Sequence, residues 1–295
     1  MRILLIGKNG QVGSELNKIL TQLGKVVATG RSEMDLSDPN QIRNTVRQIS
    51  PGLIINAGAY TAVDKAESEP ELAKAVNSIA PEILAEEAKN LGAVLIHYST
   101  DYVYHSKMRN SPYVESDPPI PINVYGKTKL EGDLSIKRSG VSYLIFRTSW
   151  VYGLYGNSFL GTILRLAKER DELRIVDDQI GTPTCCRNIS DATGKIIKQL
   201  IDNSEGSLCK TVSSISGIYH MSCEGQTSWH GFVQAILKLV DPNPVPRLVA
   251  IPTKDYPTPA TRPAYSVLSN TKLHKTFKVK LPHWEDSLKQ YLDAV

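Results

Sequence analysis

The sequence predicts a doubly wound α/β fold, a parallel sheet with helices on both faces, followed by a smaller C-terminal domain. Three observations carry this reading. Short apolar runs recur at Ile3–Ile6, Val26–Ala28, Leu53–Asn56, Val94–Tyr98 and Tyr143–Phe146, and none alternates apolar with polar as a half-exposed strand would. Amphipathic stretches lie between them at Gln11–Leu23, Pro39–Ile49, Pro70–Asn90 and Tyr125–Arg138. A glycine-spaced turn, GKNGQVG, joins the first run to the first helical stretch. Strands buried on both faces and alternating with helices specify a parallel sheet covered on both sides.

The totals agree. In 295 residues, 41% are hydrophobic and 22% charged, enough to build a core and too apolar for disorder. The 34 basic and 30 acidic residues are scattered, so the net +4 forms no basic stripe and argues against a nucleic-acid partner. The opening MRILLIGKNG is too short and too broken by Gly7, Lys8 and Gly10 for a signal peptide, and no later apolar run is long enough for a membrane span. Cys185, Cys186, Cys209 and Cys223 form no C-x-x-C, which suits reduced thiols in a cytoplasmic protein.

After Trp150 the rhythm loosens, dividing the chain into residues 1–150, a nucleotide-binding domain, and 151–295, a substrate-binding domain with segments that return to the first sheet. Helices are expected at Asn157–Arg170, Ile189–Ile201 and Trp229–Leu239. Pro242 to Pro263 holds seven of the chain's 17 prolines, so a long irregular connection is expected there.

The first strand runs straight into Gly7, Gly10 and Gly13, spaced G-x-x-G-x-x-G. Such glycines let the backbone approach a pyrophosphate, and the following helix offers unpaired N–H groups and a positive dipole end. The pattern also marks any tight strand-to-helix turn; its place after a strand and before a helix gives it weight. The second strand ends at Gly30 and is followed by Arg31, suited to a 2′-phosphate, with Asp35 close by, suited to a 2′-hydroxyl. NADPH is favoured and NADH stays open, as does a plain solvated turn. After the third strand, Ala57, Gly58 and Ala59 suit a backbone lying against a flat cofactor, and Tyr60 and Thr61 fall at the carboxyl edge of the sheet.

The fourth strand ends in Ser99, Thr100 and Asp101, and Tyr125 and Lys129 follow about 25 residues later. Four apart on a helix, two side chains share a face with β-carbons about 5–6 Å apart. A phenol has a pKa of about 10. A neighbouring ammonium pulls that value down and readies the phenol for proton transfer, while a hydroxyl such as Thr100 steadies a developing alkoxide. The spacing alone is common on solvated helices; it gains meaning downstream of a nucleotide loop. Other chemistries lack support. The six histidines form no H-x-x-x-H, and no G-x-S-x-G elbow occurs.

GKNGQVG, NAGAYTAVDKAESEPELA, HYSTDYVY, NVYGKTKLEG, FRTSWVYG, DDQIGTPT and YPTPATRPAYSVLS together resemble the dTDP-4-dehydrorhamnose reductase family of extended, Rossmann-like short-chain dehydrogenases/reductases, over essentially the whole chain. The resemblance implies that NADPH or NADH reduces the 4-keto group of a nucleotide sugar. Thr100, Tyr125 and Lys129 match the family's catalytic set. Gly10, Gln11, Val12, Arg31, Asp35, Leu36, Ala59, Tyr60 and Thr61 fall where it contacts cofactor, with Gly7, Gly13, Tyr125 and Lys129 beside them. Thr100, Asp101, Tyr102 and Trp150 fall on the sugar-nucleotide side. Related 4,6-dehydratases carry Asp-Glu after Ser-Thr, whereas Tyr102 here cannot act as that carboxylate. Two positions depart from the family. The loop HSKMRNSP after Tyr104 is basic where a Gly-rich, acidic loop is usual. Some members bind Mg²⁺ at a dimer contact; Glu15 and Glu285 lie in matching contexts, but Arg187 replaces a third carboxylate and repels a cation. No metal is expected, and a homodimer stays open. So do two rival readings: a non-catalytic subunit like the β subunit of methionine adenosyltransferase, and a reductase or epimerase of another keto-sugar.

Overall fold

The computed structural model describes residues 1–106, 109–153, 156 and 158–294. The first half lays down β1 (Arg2–Ile6), α1 (Gln11–Leu20), β2 (Lys25–Thr29), α2 (Pro39–Ile49) and β3 (Leu53–Asn56). Then come α3 (Pro70–Lys74), α4 (Ala80–Leu91), β4 (Val94–Thr100), α5 (Val124–Ser139) and β5 (Ser142–Thr148). The second half contributes α6 (Phe159–Glu169), α7 (Cys186–Asp202), β6 (Gly217–His220), α8 (Trp229–Val240) and α9 (Trp284–Asp293). Six strands form one sheet in the order β6-β5-β4-β3-β1-β2, every neighbouring pair parallel. The chain moves outward from β1 to β2 and then returns to place β3 on its other side. That reversal opens a crevice at the carboxyl ends of β1 and β3.

Every residue of β3, β4 and β5 is buried, the condition the unbroken apolar runs require. Successive side chains take opposite faces. Leu4 and Ile6 pack with Ile42 and Val46 of α2 and with Ile83, Leu84 and Ala88 of α4. Ile3 and Leu5 pack with Leu16 and Leu20 of α1 and with Ile189 and Ile196 of α7. Each such Leu or Ile contributes about 1.5–3 kcal/mol relative to exposure. The second half is thus woven into the first: α7 packs on α1, and β6 closes the sheet.

Local structure departs from the sequence expectation in two places. The single helix expected over Pro70–Asn90 is interrupted by a π-turn at Ala75–Ile79 between α3 and α4. Widened turns of this kind re-aim a side chain; here Asn77 accepts from Tyr60 N–H at 2.9 Å and donates to Tyr60 C=O at 3.0 Å. The proline-rich stretch is not wholly irregular either. Arg247–Ile251 pairs parallel with Glu172–Val176, because the prolines flank RLVAI and leave its N–H groups free to pair. The expected helix start at Asn157 lies outside the described residues. No described helix is long and apolar enough to cross a membrane.

Gly13, in the first turns of α1, lies against the loop it follows: a β-carbon there would stand 2.0 Å from the Gly7 carbonyl oxygen. Gly13→Ala should therefore push α1 away from β1 and cost about 1–3 kcal/mol, read from the urea midpoint at constant m. A loss under about 0.5 kcal/mol would show that the contact relaxes freely.

Candidate active site

The carboxyl ends of the first five strands open into a cavity of about 680 Å³. On one side lies the glycine loop. Gly7 adopts φ +85°, open to glycine at no steric cost, and a β-carbon would meet Gly58 N at 2.7 Å. α1 begins at Gly10 without a side-chain cap, which leaves its first turn to serve an anionic ligand. The Gln11 amide oxygen is buried, near Gly153, and has no partner among the described residues. At the mouth, Arg31 is 80% exposed, its Nε 3.5 Å from Asp35 Oδ2. The Asp35 carboxylate is held below the usual range by the backbone N–H and hydroxyl of Ser37. Leu36, Ala59, Tyr60 and Thr61 line the same wall.

The far wall is built by α5. Asn123 caps it, its Oδ1 accepting from Gly126 N–H at 2.8 Å while Nδ2 donates to Thr261 C=O at 2.8 Å. A β-carbon at Gly126 would meet Tyr102 C=O at 2.3 Å, so only glycine lets this first turn press on the Asp101–Val103 turn after β4. That contact sets the Tyr125 phenol against the Thr100 hydroxyl. Thr100 Oγ1 also accepts from Tyr102 N–H at 3.1 Å and donates to Asp101 Oδ1 at 3.2 Å. One turn on, Lys129 is 1% exposed; its Nζ donates to Tyr98 C=O at 2.7 Å and lies 3.1 Å from His97 Nε2.

Burial governs the proton affinities. The Tyr125 phenol is pushed up to about 12 by loss of solvent, against a smaller downward pull from Thr100. The Lys129 amine is pushed down to about 8 by the same loss, opposed by Asp133. The Lys129 amine is turned to the backbone of β4. Asp101, 2% exposed, is raised to about 6 by burial despite hydrogen bonds from Ser266, Ser149 and Thr100.

The same cavity carries an aromatic wall built by Trp150 together with Phe159 and Trp229 of the second half. Trp150, at φ +44°, stacks on Trp229 with ring centres 3.6 Å apart and planes at 3°, and Phe159 leans on the pair. Gly181 makes room, since a β-carbon there would overlap the Trp150 indole at 2.3 Å. Tyr102 meets Tyr125 edge to face at 5.6 Å.

A glycine loop, a Thr-Tyr-Lys corner and an aromatic wall around one cavity are matched by known proteins. The sequence profile described as "RmlD substrate binding domain" covers residues 1–295. The dTDP-4-dehydrorhamnose reductase of Burkholderia thailandensis is 46% identical over 96% of this chain and 95% of its own. The crystal structure of a dTDP-4-dehydrorhamnose reductase from Clostridium acetobutylicum superposes with a TM-score of 0.90 at 36% identity, covering 100% of this chain and 99% of that one. That of Bacillus anthracis, in complex with NADP, gives 0.90 at 33% identity with the same coverage. The chain belongs to the dTDP-4-dehydrorhamnose reductase family.

Of the residues expected to form this reductase-family site, all but Gly13 line the one cavity. Gly13 instead packs α1 on the loop. Sequence reasoning did not single out Trp229, Phe159, Gly181, Asn77, Asn123 or His97. Gly181 stood inside the quoted DDQIGTPT, and a tryptophan opening a helix was the available signal for Trp229. In the basic loop after Tyr104, Lys107 and Met108 lie outside the described residues. Arg109 binds Asp117 at 2.7 Å and covers the Tyr113 ring at 4.2 Å. Glu15 takes Lys18 at 3.0 Å, and the Arg187 guanidinium lies 4.8 Å from the Tyr291 ring centre.

With its carboxyl raised, Asp101 holds a proton more tightly in the folded chain than in the unfolded one. Its contribution to stability therefore falls as pH climbs from about 4 to about 6 and is level above that. Asp101→Asn removes the titration. The stability of the variant relative to the parent should rise on the order of 2–3 kcal/mol between pH 4 and pH 7 in urea unfolding. A pH-independent difference would mean that this carboxyl does not titrate there.

Proposed function

We propose that this chain reduces the 4-keto group of dTDP-4-dehydro-β-L-rhamnose to give dTDP-L-rhamnose, with NADPH as reductant. The observation that carries the proposal is the gathering of Thr100, Tyr125 and Lys129 in the same cavity as the glycine loop and the Trp150 wall. Residues 1–150 hold the cofactor and residues 151–295 the sugar nucleotide. The four cysteines are free, in keeping with work in the cytoplasm.

The residues present fit a nicotinamide dinucleotide. Gly7, packed on the Gly58 backbone, brings the loop to the cavity, and the first turn of α1 is uncapped, which leaves its N–H groups to an anionic group. Arg31 would take a 2′-phosphate, since Asp35 is engaged by Ser37. When bound, the cofactor supplies the reducing equivalent. The chain's own groups do the rest. Tyr125, kept protonated by burial, gives its proton to the C4 oxygen as negative charge develops there. Thr100 stands beside the phenol and is itself held by Tyr102 N–H and Asp101, so it keeps the phenol's surroundings fixed. Lys129 lies one helical turn from Tyr125, where the nicotinamide ribose would rest. Trp150 and Trp229 present a flat apolar wall to the sugar.

Turnover is read as loss of NADPH absorbance with the keto-sugar made in situ. Tyr125→Phe should lower kcat by about 10²–10⁴-fold while NADPH still binds. No turnover by the parent chain, with active upstream enzymes, would sink the proposal and leave a nucleotide-binding subunit. Arg31→Ala should weaken NADPH by roughly 10–100-fold with little change for NADH, measured by cofactor fluorescence titration. Equal losses for both would place the 2′-phosphate elsewhere.

A further inference from the structure

Four charged side chains gather where β1 and β2 end, at the part of the cavity that Arg31 lines. Lys8 follows Gly7 in the glycine loop, and its Nζ lies 2.7 Å from Glu33 Oε1. The other Glu33 oxygen, Oε2, accepts from Gly30 N–H at 2.8 Å. Both side chains close on Gly30, the residue before Arg31. A β-carbon at Gly30 would stand 3.1 Å from Glu33 Oε2 and 3.5 Å from Lys8 Cε. Gly30 and Arg31 line the cavity, whereas Lys8 and Glu33 are no part of that lining.

The two partners are held unequally. Glu33 is the one partner of Lys8 Nζ among the described residues, and an exposed ion pair of this kind is a loose tether. The carboxylate has a backbone anchor as well. The Lys8 ammonium and the Gly30 N–H hold its pKa down to about 2, so it is an anion throughout the neutral range. Beside this pair, Arg31 Nε lies 3.5 Å from Asp35 Oδ2, and the four formal charges cancel. A ribose 2′-hydroxyl responds little to that balance. A 2′-phosphate brings on the order of two negative charges to it.

We propose that Glu33 sets the cofactor preference of this chain: it pins Lys8 over Gly30, keeps that ammonium from the 2′-phosphate, and leaves Arg31 to hold the phosphate alone. This rests on the reading of the cavity as a nicotinamide dinucleotide site. Glu33 is thus a positioning residue that acts through Lys8. Without the carboxylate, the flexible four-carbon stem of Lys8 lets its ammonium turn from Gly30 toward the neighbouring Arg31. Glu33→Gln isolates the charge, because the amide oxygen can still accept from Gly30 N–H.

The experiment titrates the full chain with NADPH and with NADH, by cofactor fluorescence and without any sugar. At about 0.02 M salt, Glu33→Gln should tighten NADPH by at least about threefold and change NADH by less than about twofold. The gain should vanish in Glu33→Gln combined with Lys8→Met, and it should shrink at about 0.5 M salt. Lys8→Met alone should leave both cofactors within about twofold of the parent, since its ammonium is already spent on Glu33. A smaller gain in Glu33→Gln, or one that survives the loss of Lys8, overturns the proposal. So does weaker NADH binding in Glu33→Gln, which would make this carboxylate the acceptor of a 2′-hydroxyl. A parent that binds both cofactors while Glu33→Gln shows no shift defeats this proposal alone. A parent that binds neither defeats the reductase reading, and the proposal with it.

Discussion

The placement of the site depends on one buried ion pair. Asp133, on the inner face of α5 and fully buried, accepts from Arg147 of β5 and from Ser99 of β4 at 2.9 Å. Arg147, 2% exposed, continues through Nη1 to Tyr104 OH at 2.7 Å, and that hydroxyl meets His220 Nε2 of β6 at 2.9 Å. One carboxylate thus ties α5 to two strands, and its partner ties those strands to a third and to the loop after β4. Such a pair is weak evidence of net stability, because removing two charges from water costs several kcal/mol per ion. Its worth lies in geometry. Tyr125 and Lys129 ride on the same helix as Asp133, two turns and one turn before it, so fixing the carboxylate between β4 and β5 fixes the phenol beside Thr100.

The parts legible in the sequence were those with local causes. Strand burial follows from apolar runs, and helices follow from period, so the sheet and its main helices could be read directly. The glycine loop, Thr100, Tyr125 and Lys129 were found because spacing on a strand end or a helix translates into position. What escaped had causes distant in sequence. Trp229 meets Trp150 across 79 positions of chain, Asn123 reaches Thr261, and Asn77 clasps Tyr60 only because a π-turn breaks an otherwise regular period. The glycine at 126 was visible, but its reason, a carbonyl of the preceding turn 2.3 Å from where a β-carbon would lie, belongs to tertiary packing.

Proton affinities were the least legible property, because they depend on water that the fold removes. In solvent, a lysine four residues from a tyrosine would lower the phenol through charge. In the folded chain both are buried, and desolvation acts in opposite directions on an acid that becomes anionic and a base that is cationic. The phenol rises and the amine falls, so both are driven toward neutrality. For a ketone reduction that is a consistent resting state: the proton sits on the group that must deliver it.

The aromatic wall shows the same economy of arrangement. Holding a non-glycine residue such as Trp150 in the left-handed region costs about 1–2 kcal/mol. The parallel stack on Trp229 contributes about 0.5–1.5 kcal/mol beyond the area it buries. A backbone hydrogen bond from Thr184 N–H to Trp150 C=O at 3.1 Å adds about 1 kcal/mol more. The terms are of similar size, so the strained conformation persists without a ligand to impose it. Ordering a free indole at binding would cost about 0.5–1.5 kcal/mol. Because the stack, the room left by Gly181 and the Trp229 Nε1–H bond to Gln179 at 3.2 Å already fix both rings, that cost falls on folding rather than on substrate capture.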